Sequence, residues 1–173
     1  MSGYLVFVMP LFMAGAGTPA ALPLAGVWRF EMDPGNAGVA GQWYGRPLRG
    51  EVSLPGSMNG NGLGDEVTAD TAWTGTVQPL LRAEAKFAKY REPGNVKVPY
   101  WLQPDKFYVG AAWYQRDVDI PAEWQGKRVR LFLERCHWET RVWIDGVDQG
   151  ARNSLSAPHE YDLTGPLAPG RHT

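Results

Sequence analysis

Residues 128–150, RVRLFLERCHWETRVWIDGVDQG, decide the fold class. Val129, Leu131 and Leu133 alternate with Arg130, Phe132 and Glu134, the period of two that gives a strand one buried face. After WETRVWI (138–144) come Asp145 and Gly146, which both tolerate the positive φ that a two-residue hairpin loop demands. The chain is therefore expected to turn there and return through residues 147–150.

The same signals recur outward from this stretch. Residues 112–120 (AWYQRDVDI) set Trp113, Gln115, Asp117 and Asp119 against Tyr114, Arg116, Val118 and Ile120, and residues 160–163 (EYDL) read as a further short strand. Near the other end, GVWRFEM (26–32) places Val27, Arg29 and Glu31 opposite Trp28, Phe30 and Met32, and 50–54 makes a second strand. Residues 33–36 (DPGN), Pro121, Gly126 and Pro158 punctuate the series. One short peripheral helix is expected within 80–90 (LLRAEAKFAKY), closed by Pro93-Gly94. Many short strands, little helix and no internal repeat predict an all-β antiparallel sandwich, with a jelly roll as the expected variant.

The 173 residues suffice for one domain with a real core but fall about 80 short of a (β/α)₈ barrel. Seventeen basic against eighteen acidic side chains leave a net charge of −1, so there is no electrostatic footprint for nucleic acid. The single cysteine, Cys136, permits no intrachain disulfide, and His137, His159 and His172 lie at no metal-ligand spacing; neither metal nor cofactor is expected. Eight tryptophans and seven tyrosines either fill a β-rich core or form platforms for sugar rings. An apolar run at 4–13 followed by small residues at 14–21 reads as a signal peptide over 1–22, which predicts a periplasmic or secreted protein with no membrane anchor after cleavage.

Four quoted runs carry a resemblance: GAAWYQRDVDIP (110–121), W-x-GKRV (124–129), FLERCHWETRVWIDG (132–146) and PHEYDLTGPLAPG (158–170). In order and spacing they resemble the N-terminal sugar-binding domain of family 2 glycoside hydrolases, the group of β-galactosidases, β-glucuronidases and β-mannosidases. LAGVWRFEMD (24–33), Pro55-Gly56 and the pair Trp73 and Gly75 extend the likeness over 24–173. The chain departs from the family at 153–164, NSLSAPHEYDLT, where many members read H-x-G-G-Y-x-P-F-x-x-D-I-T, which leaves the sugar open. The resemblance implies a galactose-binding-like jelly roll over 23–173, packed in the whole enzyme against an immunoglobulin-like domain and a catalytic barrel that carries the two glutamates. It also implies that members continue past the Pro169-Gly170 turn into a strand completing the sandwich, so this chain is expected to be a fragment lacking that strand.

Retaining hydrolysis needs two carboxyl groups about 5 Å apart on a rigid frame, and no segment here matches those that carry them; no catalytic residue is assigned. The ligand candidates are Asn59, Asn61, Asp65 and Glu66, in or beside the glycine-rich loop PGSMNGNGLG (55–64), and Trp101, each weighed against a plain loop or packing role. Glu134, Arg135, Glu139 and Arg141 are expected to make cross-strand ion pairs. His137, Glu139, Asn153 and His159 are expected at an interface or in its support. The leading expectation is a non-catalytic domain of an exported enzyme acting on β-glycosides. An independent carbohydrate-binding module is the alternative, and a self-contained hydrolase conflicts with the chain length.

Overall fold

The computed structural model describes residues 20–72, 84–98 and 102–173, so residues 1–19 of the expected signal peptide, Trp101 and the pair Trp73 and Gly75 lie outside the described residues. Its strands are β1 (Gly26–Asp33), β2 (Gly50–Leu54), β3 (Asp65–Glu66), β4 (Lys106–Phe107), β5 (Ala111–Gln115), β6 (Val118–Ile120), β7 (Arg130–Leu133), β8 (Glu139–Ile144), β9 (Val147–Asn153), β10 (His159–Asp162) and β11 (Gly170–His172). Every pairing among them is antiparallel: β2-β1-β5, β10-β7, β11-β6, β3-β4 and β8-β9. The described residues fall into two compact units, 20–61 with 110–173, and 62–109.

In the first unit the alternation of β1 does what its pattern implies. Phe30 is buried and meets Tyr114 edge-on at 5.1 Å, on the same sheet face as buried Val52 and Leu54. On the opposite face Arg29 Nε donates to Gln115 Oε1 at 2.7 Å, Arg46 pairs with Glu31, and Trp113 stands across from Glu31. Asp33, also buried, accepts from the backbone N–H of Ala37 and Gly38, each at 2.7 Å, and from the Trp113 indole at 3.0 Å. These bonds hold its carboxyl below the usual carboxylate range although burial pushes the other way. Trp113 in turn joins Trp43, Tyr44 and Trp143: Trp143 stacks on Tyr44 at 5.5 Å and meets Trp113 at 4.8 Å. The rings are turned on one another, so the cluster fastens the loop after β1 to the sheet.

A second apolar cluster holds the rest of this unit. Ile120, Val129, Leu133, Tyr161, Leu163 and Leu167 are buried together, with Leu131, Val142 and Ile144 packed against them. The inward side of β7 is thus the side its sequence alternation selected, and each such side chain stabilises by about 1.5–3 kcal/mol. Asp145 and Gly146 take φ of 50° and 81°, closing the β8–β9 hairpin where expected.

Two expectations need correction. The strand expected over 112–120 is broken at 116–117, because β5 serves β1 while β6 serves β11. Asp117 sits at the break and pairs with both Arg29 and Arg171, which holds its carboxyl far below the usual range. The expected helix is a 3₁₀ helix at Ala85–Arg91; residues 80–83 lie outside the described residues. The last strand, β11, is tied down at Thr173, whose backbone N–H donates to Asp145 Oδ1 at 2.8 Å and whose carbonyl accepts from Asp145 N at 2.9 Å.

Candidate functional site

Three of the four residues expected at an interface or its support are joined at one rim of the first unit, and the fourth, His137, sits on the same edge. Glu139 opens β8 and Asn153 closes β9, directly opposite each other, and Asn153 Nδ2 donates to Glu139 Oε2 at 3.0 Å. One residue further out, Ser154 N donates to the Trp138 carbonyl at 2.9 Å, which extends the ladder into the loops. The Ser154 hydroxyl then accepts from Ala157 N at 3.0 Å and folds residues 154–157 into a tight turn.

His159 supports this turn from below. It is 2% exposed, with Nε2 3.1 Å from the Ser154 carbonyl and Nδ1 2.7 Å from Thr140 Oγ1. A carbonyl oxygen only accepts, so Nε2 carries a hydrogen and, in the neutral ring, Nδ1 accepts from the Thr140 hydroxyl. Tyr161, 1% exposed, donates to the Thr140 carbonyl at 2.8 Å and lies 2.7 Å from Thr140 Oγ1. Burial raises the Tyr161 hydroxyl above its ordinary pKa against the opposing Thr140 bond. Both ring nitrogens of His159 are therefore occupied in fixing the loop, and burial pushes the neighbouring Cys136 thiol up to about 11, so it is not a thiolate at neutral pH.

Above this polar support the rim is apolar and open. Trp138 is 52% exposed and Leu155 73% exposed, and exposed His137 packs its ring beside Trp138 at 5.2 Å. A tryptophan held half in solvent by a hydrogen-bonded frame is a feature of contact surfaces rather than of cores. Of the four residues expected in cross-strand ion pairs, Arg141 pairs with Asp148 across the hairpin, Glu139 takes Asn153 instead, and Glu134 and Arg135 lie exposed beyond β7.

The ligand candidates among the described residues fall in both units, Asn59 and Asn61 in the first and Asp65 and Glu66 in the second. Asn61 uses its side-chain amide inside the glycine-rich loop: Nδ2 donates to the carbonyls of Ser53 and Ser57 at 3.1 and 2.9 Å, and Oδ1 accepts from Ser53 N at 2.9 Å. Asn59 is half-buried in the 3₁₀ turn Asn59–Asn61 of the same unit. Asp65 and Glu66 form β3 in the other unit, exposed, with Glu66 paired to Lys106. Among the described residues no group of three or more His, Cys, Asp or Glu side chains is placed to hold a metal ion. Leu155 went unselected in the sequence because only its exposure marks it out, and Thr140 and Tyr161 because they stand on strands, β8 and β10, that no local pattern brings together.

The described strands thus make a β-sandwich module with Trp138 and Leu155 exposed at one rim. No protein-family model matches the chain. Curated relatives do: a β-glucuronidase of Paenibacillus borealis is 27% identical over 149 residues, 86% of this chain and 19% of that protein. A β-galactosidase of Arthrobacter sp. strain B7 is 28% identical over 161 residues, covering 88% of this chain and 15% of that protein. Among solved structures, an uncultured Clostridium sp. β-glucuronidase superposes with a TM-score of 0.60 at 21% identity, over 96% of this chain and 23% of that one. A Lactobacillus rhamnosus β-glucuronidase gives 0.56 at 16% identity, over 86% and 19%. The chain is therefore similar to one domain of family 2 β-glycosidases, as its motifs indicated, and spans about a fifth of the length of the curated relatives it matches.

Proposed function

We propose that this chain is the non-catalytic N-terminal domain of an exported family 2 glycoside hydrolase that acts on β-glycosides. The observation that carries the reading is the alignment of 86% of the chain with only 19% of a β-glucuronidase. A module of this size lacks the barrel on which paired carboxylates are held, so its part is structural: it shapes the approach to the substrate and holds neighbouring domains of the same protein. The open rim of Trp138 and Leu155 is the surface proposed to dock them, an exposed tryptophan on a hydrogen-bonded frame being the kind of anchor such contacts use. Export follows from the apolar run and small residues of 1–22.

The test is turnover of nitrophenyl β-glucuronide and β-galactoside by the 173-residue chain and by the same chain extended through the sequence that follows Thr173. Turnover is expected only from the extended polypeptide. Turnover by the 173 residues alone would overturn the proposal. N-terminal sequencing of the mature protein checks export, with cleavage expected within or just after residues 14–21.

A further inference from the structure

The second unit carries a basic and aromatic strip that neither the rim nor the fold requires. Ala85–Arg91 (AKFAKYR) winds as a 3₁₀ helix, in which residues three apart eclipse one another. The sequence is sorted by that geometry into a lysine column, Lys86 and Lys89, beside an aromatic column, Phe87 and Tyr90. The Lys86 ammonium lies 4.8 Å from the Phe87 ring centroid and the Lys89 ammonium 5.0 Å from that of Tyr90, with the rings 6.4 Å apart. Lys86 also meets Glu84 at 2.5 Å, an exposed and weak ion pair that a ligand carboxylate has to displace.

The return segment adds a third cation. Asn95 Nδ2 donates to the Lys89 carbonyl at 2.7 Å, and Lys97 N donates to the Tyr90 carbonyl at 3.2 Å, which sets Lys97 beside Tyr90. All three lysines are exposed while both rings are half-buried. Residues 84–98 hold four basic against two acidic side chains in a chain whose net charge is −1. A ring beneath an ammonium restricts its rotamers, so pairing with an anion costs less side-chain entropy than it does for a free lysine. Successive lysines of the column are separated by a helical rise of about 6 Å, which suits repeated carboxylates on a stiff polymer, and the ring edges offer apolar contact to its C–H groups.

We infer that Lys86, Lys89 and Lys97, ordered by Phe87 and Tyr90, form a binding strip for a carboxylated glycan, one built of uronic acid units. The choice of a glycan among polycarboxylates rests on the carbohydrate role proposed above. The test uses the 173-residue chain with tetragalacturonic acid, cellotetraose and a short poly-L-glutamate as titrants, at low and physiological salt. Binding of tetragalacturonic acid is expected, weakening as salt rises. The K86Q/K89Q double variant is expected to bind about fivefold more weakly, two exposed charge contacts being removed, with an unchanged thermal melt. Equal binding by the double variant, equal binding of poly-L-glutamate, or no binding of tetragalacturonic acid overturns the inference. Binding of cellotetraose alone would overturn it too while leaving the proposed function intact, and failure of the turnover test would remove that function without touching a measured, lysine-dependent affinity.

Discussion

Replacing His159 with leucine tests whether the rim is built from beneath. The ring is 2% exposed and makes two hydrogen bonds, to the Ser154 carbonyl and the Thr140 hydroxyl. Leucine fills most of the space, so the cavity contribution is small and the loss is that of the two bonds, at about 1 kcal/mol each. The expected destabilisation is about 2 kcal/mol, which at a urea dependence of about 2 kcal/mol/M lowers the midpoint by about 1 M. Tyr161→Phe removes a hydroxyl that leans on the same threonine and costs about 1 kcal/mol. Because both side chains meet at Thr140 Oγ1, the double variant should depart from the sum of the singles by about 0.5 kcal/mol or more. Unfolding followed by tryptophan fluorescence measures all three. A His159→Leu midpoint within error of the parent would refute the keystone role.

Three further outcomes follow from particular contacts. A Cβ on Gly38 would lie 2.2 Å from Trp113 Nε1 and 2.8 Å from Asp33 Oδ2, so Gly38→Ala should cost about 2–3 kcal/mol by overpacking, read as a lower melting temperature with a red-shifted emission. The Asp145 carboxylate at 2.6 Å from His172 Nδ1 raises the histidine above its ordinary value of 6.5, burial opposing. Charged His172 is thus favoured in the folded state, so its contribution is full below about pH 6.5 and lost as pH rises through the raised value; the stability gap between the parent and His172→Gln should be wide at pH 5.5 and narrow at pH 9. Asp117, held low by Arg29, Arg171 and Thr173, works with the opposite sign. Asp117→Asn should destabilise at neutral pH, and the gap should close only as acid protonates the parent carboxylate below its ordinary value of 3.8.

How much of this was legible in the sequence depends on the range over which each feature is specified. β1, β2 and the hairpin at Asp145-Gly146 were readable because alternation and turn chemistry are local. The break at 116–117 was not, since it reflects two different partners, β1 and β11, that nothing in AWYQRDVDI announces. His159 was placed at the interface support, and its burial depends on Thr140 and Ser154 supplying partners for both nitrogens. The contact between Trp113 and Trp143 joins strands whose relative placement no local pattern encodes. The spacing of Lys86, Phe87, Lys89 and Tyr90 was visible, but its columns form only because the segment winds as 3₁₀ rather than α-helix.

The most direct measurement of the central claim is to sequence the DNA downstream of the Thr173 codon and translate it in frame. The frame should continue into further domains, including a barrel with two glutamates about 5 Å apart in the folded enzyme. A stop codon directly after Thr173 would contradict it.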